Sequence, residues 1–201
     1  ITAGTSITAT TSASVGTTLS VDTIAEKTSS AGVTVGGVLC KNSQVDPSNR
    51  VITSGTAVAT TSGTSVSFTS IPSWVRKITV IFAGVSLSGT DSFLVQIGPS
   101  GGITTSGYVG AGSNITGTSN YTTGFGVPGT TAAQALNCNM EITKISSSAN
   151  TYVASYCGAF TDTYAVVGGG SITLSGILTQ LAIKPSGSNT FDAGLVNIFY
   201  E

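Results

Sequence analysis

The sequence predicts an all-β protein: an antiparallel β-sandwich, jelly-roll-like, preceded by a short extended stem of intertwined β segments. Three observations carry this expectation. The first is composition, since 33 of the 201 residues are Thr, 29 are Ser and 26 are Gly. β-Branched Thr is stiff at χ1 and Ser competes for backbone hydrogen bonds, so this chemistry suits strands and turns and disfavours long helices. The second is strict alternation, clearest in Leu136-Asn137-Cys138-Asn139-Met140-Glu141-Ile142-Thr143, apolar on one face and polar on the other. The third is punctuation. Short apolar runs recur between Gly, Ser, Asn and Pro residues, the spacing of sandwiches and jelly rolls.

Taken in order, the elements divide near residue 50. Ile1 to Ser20 is almost wholly Thr, Ser, Ala and Gly, with Ile1, Ile7, Val15 and Leu19 as its larger apolar residues. Such a stretch buries too little surface to offset its own chain entropy. Val33-Thr34-Val35-Gly36-Gly37-Val38-Leu39 reads as a hairpin or a bent strand, and Lys41 to Arg50, with Pro47, reads as a connection. Residues 1–50 are therefore expected to be an N-terminal stem or attachment segment. Its valines and isoleucines need an external partner, and equivalent segments of neighbouring chains are the simplest one.

Residues 51–201 are expected to form the β-sandwich knob. Its strands are marked by Val66 and Phe68; by Ile78, Val80 and Phe82; and by Phe93, Val95 and Ile97. Leu136 to Thr143, Thr151 to Phe160, Ser171 to Leu174, Ile177 to Ile183 and Leu195 to Tyr200 continue the series. This amounts to roughly eight to ten strands. Helical candidates are confined to a turn at Pro72-Ser73-Trp74 and to Thr131–Ala135.

Charge removes several function classes. Seven Lys plus Arg and eight Asp plus Glu give a net charge of −1, and charged residues are 7% of the chain. A typical protein carries about 25%. Seven scattered cations supply no basic footprint for nucleic acid. Without His there is no Ser-His-Asp machinery and no imidazole-ligated zinc. No window is long and apolar enough for membrane insertion, and 40% hydrophobic content argues against disorder. The first residues lack the basic and apolar regions of a signal peptide, and the only Met is Met140, so the chain reads as processed or as a fragment. Cys40, Cys138 and Cys157 show no CxxC spacing. Each reads as a buried free thiol, although Cys138 and Cys157 could pair if their strands are neighbours.

Motifs add little chemistry. Gly124-Phe125-Gly126-Val127-Pro128-Gly129 matches GxGxxG, but Pro128 interrupts the turn and the setting is all-β, so it reads as a glycine-rich loop without a cofactor. A glycosidase pair needs two acids across a cleft. The closest in sequence, Asp22 and Glu26, lie where no cleft can be lined, Glu141 sits on a polar strand face and Asp162 in a turn. Asp46, Asp91 and Asp192 are isolated, which does not support a calcium loop. No catalytic residue, cofactor or metal site is therefore expected, and the chain reads as a non-enzyme. Asn114-Ile115-Thr116 and Asn120-Tyr121-Thr122 are sequons of a kind that arises by chance in a Thr-rich chain. Trp74, beside Arg76-Lys77, reads as a core anchor in preference to a sugar-stacking platform. The stretch Gly98 to Gly129 combines Gly, Ser, Thr and Asn with aromatic rings, the composition of recognition loops. It is either a recognition surface carried by Tyr108, Asn114, Asn120, Tyr121 and Phe125, or an unconstrained surface loop.

Three stretches resemble a recurrent bacteriophage virion family of tail-fibre and head-fibre proteins. Val21-Asp22-Thr23-Ile24-Ala25-Glu26-Lys27-Thr28-Ser29-Ser30-Ala31-Gly32-Val33-Thr34-Val35 is similar to the segment joining a fibre's stem to its terminal domain. Ile71-Pro72-Ser73-Trp74-Val75-Arg76-Lys77-Ile78-Thr79-Val80 resembles the opening of that domain. Phe191-Asp192-Ala193-Gly194-Leu195-Val196-Asn197-Ile198-Phe199-Tyr200-Glu201 resembles its closing strand. The pattern departs at Gly36, where an acid is expected, and at Cys40, where an aliphatic residue is. The resemblance implies a homotrimeric, non-enzymatic structural protein on the phage particle surface. Its expected partners are other copies of itself, other virion proteins through the N-terminal segment, and a host surface glycan or protein. The alternatives are a capsid decoration without a receptor and, more weakly, a polysaccharide depolymerase.

Overall fold

Successive side chains of a strand point to opposite faces, so a run that alternates apolar and hydroxyl residues buries one face and leaves the other to water. The protein uses this device throughout. The computed structural model describes residues 52–201 apart from 115, 116, 130, 133, 162 and 163, together with 16, 23–25 and the strand backbones at 33–35, 38–41 and 44–45. The chain divides into two units, Ile1–Arg50 and Val51–Glu201.

In the first unit, β1 (Val33–Val35), β2 (Val38–Lys41) and β3 (Gln44–Val45) form a three-stranded antiparallel sheet in chain order. Val35 pairs with Val38, so the valine-rich stretch is a hairpin and not a bent strand. The expected connection after Lys41 contains β3. Asp22, Glu26, Asp46, Pro47 and the intertwining of a stem lie outside the described residues.

The second unit begins with β4 (Thr53–Ser54), β5 (Val58–Ala59), β6 (Val66–Phe68), β7 (Lys77–Leu87) and β8 (Phe93–Gly98). It continues through β9 (Val109–Asn114), β10 (Gly117–Tyr121), β11 (Phe125–Val127), β12 (Leu136–Lys144) and β13 (Thr151–Phe160). The last strands are β14 (Tyr164–Thr173), β15 (Gln180–Pro185) and β16 (Phe191–Tyr200). The larger sheet has the order β10-β9-β14-β13-β12-β7-β16, with β4 and β5 both pairing with β16. The smaller has the order β11-β8-β15-β6. Every pairing is antiparallel. The fold is an all-β sandwich, as the composition and alternation predict.

The stretch expected as a recognition loop contains β9, β10 and β11. In the stretch Thr131–Ala135, residues 131, 132, 134 and 135 are not helical and 133 lies outside the described residues; no helix occurs among the described residues. Asp162 lies outside them. The turn at Pro72 is present, closed by a bond from Val75 N to Pro72 O at 3.1 Å.

The core lies between the two sheets. β12 alternates without a break, with Leu136, Cys138, Met140, Ile142 and Lys144 buried and the intervening residues exposed. β8 departs from alternation, because all six of its residues are buried. Phe93, Val95 and Ile97 face the core. On the other face, the turn between β10 and β11 covers Leu94 and Gln96: Gln96 Nε2 donates to Thr123 O at 2.6 Å. A Cβ at Gly124 would stand 3.2 Å from both side chains. Aromatic rings bridge the sheets, Phe82 against Phe93 at 6.0 Å and Phe93 against Phe160 at 6.2 Å.

Tyr156 makes a direct polar link across the sandwich. From the inner face of β13 its hydroxyl donates to Gly126 O on β11 at 2.7 Å. The register places Gly168 of β14 opposite Tyr156 and Gly112 of β9 opposite Gly168. A Cβ at either glycine would overlap the phenol oxygen. Two side chains are absent so that one hydroxyl can reach the far sheet.

Burial raises several acids above their ordinary values. Tyr108 is pushed up to about 12, against a backbone hydrogen bond to Ile97 that lowers it. Cys138 is pushed up to about 12 by burial, with the nearby Cys157 adding to it. Tyr156, Tyr121 and Tyr152 shift the same way, for the same leading cause. Below the unfolded values of 9.0 for Cys and 10.0 for Tyr both states hold their protons, so the contribution of these groups to stability is fully present. Above those values the unfolded chain gains by ionising while the folded chain does not, and stability falls. With no His, no side chain has an ordinary value in the neutral range. Denaturant melts should therefore show stability level between about pH 6 and 8 and falling from about pH 9 towards 12. Replacing Gly112 with Ala should destabilise the sandwich by about 1–3 kcal/mol in the same assay, through overpacking against Tyr156.

Candidate recognition site

The structure brings three of the five predicted recognition residues together. Tyr108, Val109, Gly110, Ala111, Asn120, Tyr121 and Thr122 line one open depression of about 530 Å³ at the outer end of the larger sheet. It forms because β9 and β10 are a hairpin whose register sets Tyr121 opposite Gly110. Gly110 has no room for a side chain, since a Cβ would stand 2.7 Å from Gly169 O on β14.

The rings are not exposed contact surfaces, and this corrects the sequence reading. Tyr108 is 2% exposed, Tyr121 8% and Phe125 1%. The Tyr108 hydroxyl accepts from Ile97 N at 2.8 Å and donates to Thr104 O at 3.1 Å, and its ring meets Phe125 edge-on at 5.0 Å. Tyr121 lies over Gly126, where a Cβ would collide with its ring, and its hydroxyl meets Ser92 Oγ at 2.9 Å. It thereby covers β11, the edge strand of the smaller sheet. Phe125 stands behind Tyr108 in the core. These aromatics are buried because the sandwich needs large residues where the β9–β10 hairpin closes over β11. Asn120 is exposed, and Asn114 is half-buried at the opposite end of the hairpin. Ile115 and Thr116, the rest of its sequon, lie outside the described residues.

What remains in the depression is hydrogen bonding from Asn120 and Thr122 with apolar contact from Val109, which is 72% exposed. Tyr108 and Tyr121, raised by burial, keep their protons at neutral pH. The lining suits binding through neutral hydrogen bonds.

Beside the depression lies a feature that sequence reasoning missed. The outer face of β9, β14 and β13 presents Val109, Ala111 and Ser113; Ala165, Val167, Gly169 and Ser171; and Val153, Ser155, Cys157 and Ala159. Val109, Val153 and Val167 are 72%, 47% and 58% exposed. No side chain on this face is charged. Cys157 is exposed here, which corrects its reading as a buried thiol. Cys138 is free and buried; it stands opposite Gly158 while Cys157 stands opposite Asn139, so the two thiols point to opposite faces and do not pair. The signal in the sequence was valine at alternate positions where a half-buried strand should carry polar residues.

Trp74 is also corrected: it is 48% exposed, and its ring lies 6.0 Å from that of Tyr200. Val75 and Ile78 are both buried three residues apart, so the chain changes face in this turn and leaves the indole outside. A charge pairing was missed as well, because Glu141 and Glu201 are 60 residues apart in sequence yet both approach Lys77 Nζ, at 3.8 and 2.7 Å. Among the described residues, no group of three His, Cys, Asp or Glu could hold a metal ion. No helix among them is long and apolar enough to cross a membrane. No protein family, curated protein or solved structure matches the chain.

Burial separates the roles of the predicted residues. Tyr108→Ala should cost about 3–5 kcal/mol of stability, as truncation of a buried aromatic does. Asn120→Ala should stay within about 0.5 kcal/mol of the parent, as exposed substitutions do. Urea melts of both variants check this.

Proposed function

We propose that the chain is a structural virion protein of a bacteriophage, a homotrimeric fibre or spike on the particle surface that attaches to the host cell. The observation that carries the reading is the uncharged outer face of β9, β14 and β13. An exposed sheet face bearing valines and no charge is a liability in water unless another surface covers it. A second copy of the same chain is the partner always available to it, and closed rotational symmetry lets every copy be covered alike.

The strand order supports a jelly-roll-like winding, since the chain passes from sheet to sheet at most of its connections. Attachment then works by avidity. Three weak sites on one axis, each at a depression such as that beside Asn120, engage a repeated surface glycan or protein far better than one does. The N-terminal segment would join the knob to other virion proteins.

Native mass of the full chain and of residues 51–201 tests the assembly. The full chain should run near three times 19.9 kDa, and removal of the first 50 residues should weaken or abolish the trimer. A monomer in both cases would overturn the fibre reading. Val167→Lys places a charge on the outer face and should shift the assembly to monomer without lowering monomer stability. Cys157 reports coverage of the same face: in a Cys40→Ser background its thiol should react slowly with maleimide in the assembly and rapidly in the Val167→Lys monomer.

A further inference from the structure

A second surface of the knob has the features of a carbohydrate site. A cleft of about 270 Å³ opens between β5, β6 and the end of β16. Its lining includes the hydroxyl residues Thr56, Ser67 and Thr69 and the apolar residues Val58 and Ile198, and Tyr200 belongs to it as well. Trp74 extends the aromatic surface beyond the cleft: its ring is inclined at 50° to that of Tyr200, and the indole is half exposed.

The backbone holds this arrangement in place. Arg76 N and Lys77 N donate to Glu201 O at 2.7 and 2.9 Å, and Glu201 N donates to Lys77 O at 3.0 Å. The turn bearing Trp74 is thus tied to the end of the strand bearing Tyr200. Arg76 also donates from its guanidinium to Ser73 O at 3.2 Å, closing the turn on itself. The backbone that carries the indole is thus held in place, so little backbone freedom remains to be lost on binding.

We infer that the Tyr200 cleft, with Trp74 at its lip, binds a neutral saccharide. A sugar ring offers an apolar C–H face that stacks on an aromatic ring, and a rim of hydroxyls that both donate and accept. The cleft supplies rings beside hydroxyls, which is the complementary set. None of the residues that line the cleft is charged. Such a lining favours a hydroxylated ligand without charge over a phosphate or a cation. Saccharide binding here rests on the attachment reading for its setting, but it is measured directly and the assembly by mass, so the two fail separately.

The protein contains one tryptophan, so its indole emission reports on this site alone. The full chain is titrated with neutral oligosaccharides of glucose, galactose, mannose, rhamnose and N-acetylglucosamine. At least one should shift the emission to shorter wavelength and saturate. Trp74→Ala should weaken binding of that sugar, read by calorimetry, about tenfold or more, while Trp74→Phe keeps most of the affinity. Thr56→Val together with Thr69→Val should weaken it with the indole intact, and thermal melts of each variant confirm a folded knob. The proposal is overturned if no sugar of the panel moves the emission, or if Trp74→Ala binds as the parent does. An emission shift on dilution without sugar would place the indole between copies of the chain and overturn it equally.

Discussion

One hydroxyl organises the end of the sandwich that carries the depression. Tyr156 spans from the larger sheet to Gly126 of the smaller, and the bond is possible only where Gly168 and Gly112 leave the space for it. A buried phenol without a partner would be costly, and so would the carbonyl it satisfies. Once that distance is set, β9 must run beside β14 above β11, and the hairpin to β10 must fold over the edge. Tyr121 then lies on Gly126 and Tyr108 on Phe125. The depression is therefore a by-product of closure, with walls made of residues whose first task is packing.

Glycines recur along both of these strands. β14 carries Gly168, Gly169 and Gly170 in succession, and β9 carries Gly110 and Gly112. Gly110, Gly112, Gly168 and Gly170 lie on the inner face, and Gly169 alone of the five is on the outer one, among valine, alanine and serine. Val109 belongs to both the depression and the uncharged face, which places the two next to each other.

The fold class was legible because alternation is a local property. β7, β8, β12, β13 and β16 each contain runs in which apolar residues recur at every second position, and their buried faces follow from it. β9, β10 and β11 were not legible, since Gly110, Gly112 and Gly126 have no side chain to alternate and their packing depends on Tyr156, 30 residues beyond Gly126. The recognition residues were misjudged for a related reason: Tyr, Gly and Ser together describe a tight hairpin packed with rings as well as they describe a binding loop. Trp74 was misjudged because its neighbours Val75 and Ile78 break period two, and only the turn at Pro72 shows which side the indole takes. Lys77 with Glu141 and Glu201 depends on strand order, which composition does not contain.

The lack of charge on the outer face of β9, β14 and β13 has an environmental consequence. Contacts between ions weaken as dissolved salt screens them, within about 10 Å at a tenth molar. Contact between valines offers salt nothing to screen, and salts excluded from protein surfaces strengthen it. A joint made through this face would hold in fresh water and in brine alike.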